Sequence, residues 1–308
     1  MKLRFLFLFI LLNTNPLFAF EEPKTSYIMV LGIAQDGGYP HMGCQKVCCN
    51  AAWKNIKLKR SITSIALVDP IQKKWWLFEA TPDIKEQLQT FKKQTKGTYP
   101  YLPDGIFITH AHIGHYSGLM EFGREVMGTS KLKVYTLPKL KSYLSTNGPW
   151  SQLIKLQNIE LIELSANVPL TISDNAVTAF TVPHRDEFSE TAGFKIVLPT
   201  NKFLFIPDID KWNKWDKSII NEVKNVDVAF LDATFYTNTE LGNRSIAEVP
   251  HPLVSETMNL FANETVNTKQ KIYFIHFNHT NPLLWNHKVQ NDLLKTGFRK
   301  AEELQVFN

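Results

Sequence analysis

The chain has 308 residues, of which 44% are hydrophobic, and its formal net charge is +5. This composition is typical of a globular protein with a sizeable core, and we expect one large domain rather than two small ones. The basic residues stand in short groups such as KLKR and KKQTK and form no dense block, so we do not expect nucleic acid as a partner.

The first residues have the pattern of a secretory signal peptide. The apolar run FLFLFILL follows Lys2 and Arg4, and the small residue Ala19 stands just before the charged EEPK. We predict a signal peptide over residues 1–19 and a single domain over residues 20–308. The apolar run is too short to cross a bilayer comfortably, although an uncleaved anchor is an alternative. The prediction is a periplasmic or secreted protein with no membrane contact after cleavage.

Strand-like runs rich in Val, Ile and Phe recur along the chain, and helix-period segments lie between them. Many strands interleaved with a few helices predict two β-sheets packed together with helices on their outer faces, an α/β sandwich of four layers. The predicted helices are PDIKEQLQTFKKQ, YSGLMEFGREVMG and PLVSETMNLFA. The predicted strands are SYIMVLGIA, SIALVD, KWWLFEA, GIFITH, KVYTL, IELIEL, AVTAFTV, GFKIVL, KFLFIP, VDVAFLD and KIYFIHF.

Ionisable residues stand at or just after the ends of six of these runs. Side chains at strand ends on one edge of a sheet can converge in space although they are far apart in the sequence. We therefore expect a polar site at one edge of the sandwich. The six residues are Asp83, His110, His184, Asp208, Asp232 and His276.

Three histidines fall close together in FITHAHIGHYSGL, directly after a predicted strand. In an extended segment alternate side chains face the same way, so His110 and His112 can bind one ion. His115 belongs to the following turn and can approach from another side. Neutral imidazole is a good ligand for zinc, iron or copper, and the spacing predicts a metal site rather than three structural histidines.

All three cysteines, Cys44, Cys48 and Cys49, lie within HMGCQKVCCNAAW. An exported protein built on disulfides usually carries an even number of cysteines spread along the chain. Their crowding favours a metal site. Reduced thiols, or one disulfide with a cysteine left over, are the alternative.

The segment THAHIGH resembles the signature H-x-H-x-D-H of the metallo-β-lactamase fold superfamily, with Gly114 in place of the aspartate. LFEATPD, VPHRDEFSETAGFKI, FIPDID and IYFIHFNHTNP are similar to the other motifs of that superfamily and contain Asp83, His184, Asp208 and His276. The resemblance covers nearly all of the chain after the predicted signal peptide. It implies the metallo-β-lactamase fold, with two mixed β-sheets flanked by helices.

Two subgroups share further segments. LGIAQDGGYPHMGCQKVCC and FIHFNHTNP resemble the coenzyme-PQQ synthesis protein B group, and the cysteine cluster with HFNH is similar to the phosphodiesterase of the carbon-phosphorus lyase pathway. In those relatives a C-x-C-x-x-C cluster and a later histidine hold a structural zinc. The resemblance implies such a zinc at Cys44, Cys48, Cys49 and His279, with Lys46 in place of the middle cysteine.

The resemblance also implies the ligands of the catalytic metals. The first ion would take His110, His112 and His184, with Asp208 as a bridge. The second would take His115, Asp208 and His276 but would lack the carboxylate that Gly114 replaces. We therefore expect one tightly held ion and a second that is weak or absent, and strand alternation predicts that nearby Asp210 points away. Zinc is expected, and iron or manganese could occupy the catalytic site.

Three further residues receive catalytic roles. Asp83 is expected to orient a metal-bound histidine. FLDATF and PHPLVSETM resemble paired segments of the tRNA-processing branch, which implies that His251 donates a proton to the leaving group while Asp232 fixes its tautomer. The alternative is that Asp232 merely ends a strand and His251 caps a helix beside Pro252.

These features together predict an exported metal-dependent hydrolase that acts with activated water on a small-molecule ester, phosphodiester or lactam-type substrate. One alternative is a mononuclear iron oxygenase or hydroxylase like that implied by the PQQ synthesis resemblance. The other is a non-catalytic binding protein that contains metal. The sequence leaves the substrate and the oligomeric state open.

Overall fold

The computed structural model describes residues 21–242, 245 and 248–308. The predicted signal peptide lies outside the described residues. Within them, no helix is both long and apolar enough to cross a membrane.

Two seven-stranded sheets form the centre of the described structure. Their neighbouring strands run in the order β14-β1-β2-β3-β4-β5-β6 in the first sheet and β13-β12-β11-β10-β9-β8-β7 in the second. The strands are β1 (Tyr27–Gly32), β2 (Ser64–Asp69), β3 (Lys74–Phe78), β4 (Gly105–Phe107), β5 (Leu132–Thr136), β6 (Ile159–Glu163), β7 (Pro169–Ile172), β8 (Asn175–Val182), β9 (Thr191–Val197), β10 (Lys202–Ile206), β11 (Val228–Asp232), β12 (Ile272–Ile275), β13 (Arg299–Lys300) and β14 (Val306–Phe307).

Both sheets are mixed. The pairs β1/β2 and β2/β3 are antiparallel, and β3 to β6 pair in parallel. The second sheet repeats this arrangement, because β7 to β10 pair antiparallel and β10 to β13 in parallel. Parallel strands require crossover connections, and helices provide most of them. The carboxyl ends of β10, β11 and β12 therefore lie at one edge.

Helices cover the sheets on their outer faces. Ile84, Leu88 and Phe91 of α2 pack with the outward side chains of the first sheet, and Val223 and Val254 pack with those of the second. Short 3-10 turns lie at Ile56–Leu58, Ser117–Phe122, Trp212–Lys214, Asn238–Leu241 and Pro282–Leu284. The helices are α1 (Val47–Lys54), α2 (Ile84–Gln94), α3 (Ile113–Tyr116), α4 (Pro138–Thr146), α5 (Trp150–Lys155), α6 (Ile219–Lys224), α7 (Val254–Leu260), α8 (Val266–Lys269) and α9 (His287–Lys295).

Aromatic side chains fill the space between the sheets. Phe78 of β3 stacks on Phe107 of β4 with ring centroids 4.9 Å apart, and it meets Phe194 and Phe205 of the second sheet edge-on at 5.3 and 6.1 Å. All four side chains are fully buried. This packing fixes the two sheets against each other and so fixes the strand ends that carry the polar residues.

All eleven predicted strands are present, and the predicted four-layer arrangement is confirmed. The short strands β7, β13 and β14 were not predicted. The predicted helix YSGLMEFGREVMG is wrong, because Ser117–Phe122 forms a 3-10 turn and residues 123–127 form a bend and a turn. Gly118 explains this: a Cβ there would lie 2.1 Å from the Thr81 carbonyl oxygen, so the backbone packs where a regular helix would need space.

Candidate metal centre

The histidine segment that follows β4 is tied to the second sheet. Ala192 donates its backbone N–H to the Thr109 carbonyl at 3.0 Å, and Ala111 donates to Ser189 Oγ at 2.9 Å. These bonds hold the segment against the start of β9 and the loop that precedes it. The spacing of the histidines then determines which of them face each of two clusters of ligand atoms.

The first cluster contains His110, His112, His184 and Asp208. His112 Nδ1 lies 2.7 Å from His110 Nε2 and 3.3 Å from His184 Nε2. Asp208 approaches with Oδ2 at 3.5 Å from His110 Nε2 and Oδ1 at 3.6 Å from His184 Nε2. Each imidazole thus directs one ring nitrogen to a common point, as expected for ligands of one ion.

The second cluster contains His115, His276, Asp208 and a residue that was not predicted, Asp36. Asp208 Oδ2 lies 3.0 Å from His115 Nε2 and 3.5 Å from His276 Nε2. Asp36 Oδ1 lies 3.2 Å from His115 Nε2 and 3.8 Å from His276 Nε2. Asp208 therefore belongs to both clusters.

A carboxylate does lie beside the second cluster, contrary to the expectation from Gly114. It comes from the loop after β1 rather than from the histidine motif. The signal in the sequence was AQDGG, where a carboxylate follows a strand and precedes two glycines. Nothing in the local pattern connects that loop with His115. Asp210, as predicted, points elsewhere, with Oδ2 at 2.6 Å from Lys214 Nζ.

The first cluster is electrostatically suited to a metal. Burial holds the pKa of His110 well below its usual value and lowers the pKa of His184 to about 4. Both imidazoles are therefore neutral at physiological pH, which is the protonation state that binds a metal ion.

The carboxylates of the second cluster require a positive charge to balance them. Burial lowers the pKa of His115, but the carboxylates of Glu79, Asp208 and Asp36 outweigh burial and hold that pKa well above its usual value. Burial raises the pKa of Asp36, but His115 and His276 outweigh it and hold that pKa well below its usual range. Three carboxylates around a buried imidazole need a proton or a metal cation to balance them.

The second ring nitrogens of three histidines contact polar groups outside the clusters, whereas His184 Nδ1 is buried and makes no hydrogen bond. His110 Nδ1 lies 2.9 Å from Thr109 Oγ1, His112 Nε2 lies 3.0 Å from Glu187 Oε2, and His276 Nδ1 lies 3.1 Å from Thr234 Oγ1. Such partners fix the tautomer and the ring orientation of metal-binding histidines.

The orienting role expected of Asp83 is wrong. Asp83 Oδ2 accepts a hydrogen bond from the Ile62 backbone at 2.8 Å, and within the described part of the chain no hydrogen bond or ion pair joins it to a histidine. Glu79 holds that position instead, with Oε1 3.4 Å from His115 Nδ1 and Oε2 accepting from the Thr109 backbone. Asp83 begins α2 and so lies beyond the strand end.

Two residues of this site have a left-handed backbone that is rare for side chains other than glycine. Glu79 has φ of 75° and His276 has φ of 65°. Each follows directly after a strand, where the reversal turns the side chain toward the cluster. Such conformations cost about 1–2 kcal/mol and persist where the surrounding structure requires them.

Asp232 and His251 form the predicted pair. His251 Nδ1 lies 2.8 Å from Asp232 Oδ2, whose carboxylate also accepts from the backbone of Ile209 and of Thr234. His251 Nδ1 also lies 3.1 Å from Asp208 Oδ1. The His251 ring lies beside both clusters, with its centroid 5.3 Å from that of His184 and 6.1 Å from that of His276.

The cysteines converge with His279 at a separate place, where α1 meets the loop after β12. Cys48 Sγ lies 3.9 Å from Cys44 Sγ and 4.0 Å from Cys49 Sγ, and His279 Nδ1 lies 3.3 Å from Cys49 Sγ and 3.8 Å from Cys48 Sγ. A tetrahedral zinc with bonds of about 2.3 Å to sulfur has ligands about 3.6–3.8 Å apart. The three thiols are free, so the disulfide alternative is not observed.

Buried polar atoms test whether these residues fit a metal. A buried polar atom without a hydrogen bond raises the free energy of the folded state, and several such atoms that face one point raise it further. In the catalytic clusters, several atoms that face the common points are buried and make no hydrogen bond, which fits residues arranged for a cation. These atoms are Asp36 Oδ1, His115 Nε2, Asp208 Oδ1 and His276 Nε2.

Two mixed sheets with a histidine and aspartate centre at one edge define a protein of the metallo-β-lactamase type. A family model described as a beta-lactamase superfamily domain matches residues 74–277, and the chain belongs to that superfamily. It is similar to coenzyme PQQ synthesis protein B of Methylorubrum extorquens (strain PA1), with 24% identity over 84% of this chain and 91% of that protein. The protein of the same name from Acinetobacter baylyi is 26% identical over 87% of this chain and 94% of its own length.

Solved structures show the same fold. Zn(2+)-bound PqqB from Methylobacterium extorquens has a TM-score of 0.74 at 19% identity and covers 92% of this chain and 99% of its own. A diphosphatase from the PhnP family has a TM-score of 0.66 at 18% identity, with 92% and 96% covered. The predicted metallo-β-lactamase fold and the resemblance to PqqB-like proteins are confirmed.

Proposed function

We propose that this protein is a metal-dependent hydrolase that acts on a small-molecule ester or phosphodiester. The observation that carries the proposal is the juxtaposition of a complete histidine and aspartate cluster with a buried acid pair. His251 Nδ1 lies 2.8 Å from Asp232 Oδ2 and 3.1 Å from Asp208 Oδ1, so the acid pair is next to the metal ligands. A carrier of metal or ligand has no need of the acid pair.

In the proposed reaction, each group of residues has a separate role. When bound, a divalent metal ion lowers the pKa of a water molecule to about 7 and polarises the substrate oxygen. His110, His112 and His184 would direct ring nitrogens to that ion, and Asp208 would direct a carboxylate to it. The orientation of these side chains is fixed before substrate arrives, because Thr109 and Glu187 hold the outer nitrogens of His110 and His112.

His251 supports the departure of the leaving group. Asp232 Oδ2 accepts the proton on Nδ1, so that the opposite nitrogen, Nε2, is the one that donates to a departing oxygen. The position of the ring is further held from its backbone, because Lys211 Nζ donates to the His251 carbonyl at 2.8 Å and pairs with Glu256 at 2.8 Å.

The test compares leaving groups. Bis(p-nitrophenyl) phosphate releases a stable phenolate that needs little protonation, whereas glycerophosphocholine releases an alkoxide that needs a proton. We expect His251→Gln to lower kcat/KM on the second compound by about 10²–10⁴-fold and to affect the first much less. Activity is measured on protein loaded with Zn²⁺, Mn²⁺ or Fe²⁺.

His287→Gln is the matched control, because His287 is exposed on α9 and belongs to none of the ligand clusters. It should leave both rates unchanged. An equal loss on both substrates in His251→Gln contradicts the proton-donor role. No turnover of any ester or phosphodiester with any of the three metals contradicts the hydrolase proposal and favours a binding protein.

A second candidate rests on the similarity to coenzyme PQQ synthesis protein B over 84% of the chain. That similarity favours an iron-dependent oxidation of a small organic molecule. Oxygen uptake by the Fe²⁺-loaded protein in the presence of candidate substrates separates the two proposals, because hydrolysis consumes no oxygen.

We also propose that the protein works outside the cytoplasm, without nucleic acid as a partner. The support is the N-terminal pattern around Lys2, Arg4 and Ala19, together with the scattered basic residues. N-terminal sequencing of protein expressed from the full gene should find Phe20 as the first residue. Recovery of Met1 in the exported fraction would favour an uncleaved anchor.

A further inference from the structure

The carboxylate of Asp36 and the side chain missing at Gly114 compete for one place. A Cβ at position 114 would lie 2.1 Å from Asp36 Oδ1 and 2.7 Å from Asp36 Cα. No side chain fits at position 114 while Asp36 holds its position, because Cβ contacts below about 3.0 Å do not occur in real structures. The glycine in the histidine motif is therefore the space through which Asp36 reaches the cluster.

The backbone holds Asp36 there independently of any ion. Gln35 donates its backbone N–H to the Phe277 carbonyl at 2.8 Å, and Phe277 donates to the Ile33 carbonyl at 2.8 Å. Gly38 closes the loop by donating to the Gln35 carbonyl at 2.7 Å. Since Phe277 directly follows His276, the same strand end positions both residues.

One oxygen of Asp36 is free to bind a cation. Oδ2 lies 3.4 Å from Gln35 Nε2, whereas Oδ1 is buried, makes no hydrogen bond and faces His115 Nε2 and His276 Nε2. Ligand atoms bound at about 2.1 Å lie about 3.0–3.8 Å apart for angles between about 90° and 130°. The four distances between a carboxylate oxygen and an imidazole nitrogen in this cluster, from 3.0 to 3.8 Å, fall in that range.

We propose that Asp36 is a ligand of a second metal ion and takes over, from the β1 loop, the role of a carboxylate at position 114. The ligand set is His115, His276, Asp36 and the shared Asp208. The chain then holds two ions in the catalytic centre and one at the cysteines. This inference does not depend on the reaction, since it concerns metal content alone.

The first experiment removes the charge of Asp36 and keeps its size. Asp36→Asn should lose about one ion per chain by mass spectrometry after dialysis, or weaken the affinity for that ion at least tenfold by calorimetric titration with Zn²⁺. The matched control is Asp83→Asn, which removes a carboxylate that contacts the Ile62 backbone instead of a histidine. The control should keep the metal content of the parent.

The second experiment fills the space at position 114 and keeps Asp36. Gly114→Ala should lose the same ion, because its Cβ would lie 2.1 Å from Asp36 Oδ1 and 2.7 Å from Asp36 Cα and would displace the Asp36 carboxylate from the cluster. Circular dichroism shows whether each variant is folded.

The outcomes decide the proposal. Loss in Asp36→Asn, with an unchanged control, supports Asp36 as a ligand, and loss in folded Gly114→Ala supports position 114 as the space that Asp36 needs. An Asp36→Asn variant that retains every ion at the affinity of the parent overturns the proposal. A folded Gly114→Ala variant with the metal content of the parent overturns the role of position 114. None of these readouts requires turnover, so a failed hydrolase assay leaves them unaffected.

Discussion

For single residues, the centre depends on which nitrogen of each histidine faces inward. Every imidazole has two ring nitrogens, and a partner on one of them makes the other available for a metal. Thr109, Glu187 and Thr234 hold the outer nitrogens of His110, His112 and His276. Substitution of these partners changes the affinity for metal without removing any ligand.

Substitution of Glu79 tests most directly whether such a partner affects metal affinity. Its Oε1 lies 3.4 Å from His115 Nδ1 in a fully buried setting. We expect Glu79→Gln to weaken the binding of the second ion about 10 to 100-fold, because the amide is neutral and orients His115 less strongly. Competition with a chelator of known affinity measures the change.

The Gln side chain still offers an oxygen to the Thr109 backbone N–H, so the fold should be kept. Asp83→Asn again serves as the comparison, since Asp83 contacts the Ile62 backbone instead of a histidine. Unchanged affinity in Glu79→Gln would show that Glu79 balances charge or packs without orienting His115.

Among the secondary-structure elements, the cysteine site links α1 to the loop after β12. Cys48 and Cys49 begin α1, whereas His279 lies beyond β12 and far along the chain. The same loop begins at His276, so the cysteine site lies next to the segment that positions the second histidine cluster. A closed four-ligand zinc here would act on the fold rather than on the substrate.

Removal of that zinc should destabilise the folded protein. Cys49→Ser is expected to lose one zinc and about 3 kcal/mol of unfolding free energy when the parent is saturated about a hundredfold above its dissociation constant. Metal analysis and calorimetric melting measure the two effects. Met42→Ser, on the exposed part of the same loop, should change neither. A melting temperature that is unaffected by Cys49→Ser would mean that the cluster holds no structural ion.

In the molecule as a whole, the C-terminal segment closes the first sheet and contains a partly buried acid, Glu303. Glu303 Oε1 accepts from the Ser61 backbone at 2.6 Å, and β14 follows at the edge beside β1. The pKa of Glu303 is raised to about 7, chiefly by burial and also by Asp83 and Glu302. The hydrogen bond from Ser61 and the charge of Arg60 oppose this increase.

This raised pKa gives stability a defined pH dependence. Below about pH 4.5, Glu303 is protonated in both the folded and the unfolded protein. Between about pH 4.5 and pH 7 it ionises only in the unfolded protein, so the free energy of unfolding falls as the pH rises. Glu303→Gln removes this loss and keeps an acceptor for Ser61. Relative to the parent, its unfolding free energy should increase by on the order of 2 kcal/mol between pH 5 and pH 8.

Urea unfolding at the two pH values measures the difference. Glu163→Gln is the control, because the Glu163 side chain is half exposed and pairs with Lys141 at the surface. A Glu303→Gln variant whose advantage is the same at both pH values would contradict the raised pKa.

Most of the strands, the histidine spacing and the cysteine cluster could be predicted from the sequence. Alternation and apolar runs are local properties of the chain, so all eleven predicted strands are present. The spacing of His110, His112 and His115 likewise predicts ligands that face different sides. The short strands β7, β13 and β14 lack such a signal, because their pairing depends on neighbours elsewhere in the chain.

The contacts between carboxylates and histidines, by contrast, could not be predicted from the sequence and are seen only in the folded molecule. Asp36 and Glu79 come from the loop after β1 and the end of β3, and Asp83, which the motif had favoured, begins a helix instead. The physical reason is that the ends of separate strands meet only when two sheets pack across a common core. That packing determines whether Gly114 leaves the site incomplete or leaves room for a residue from another loop.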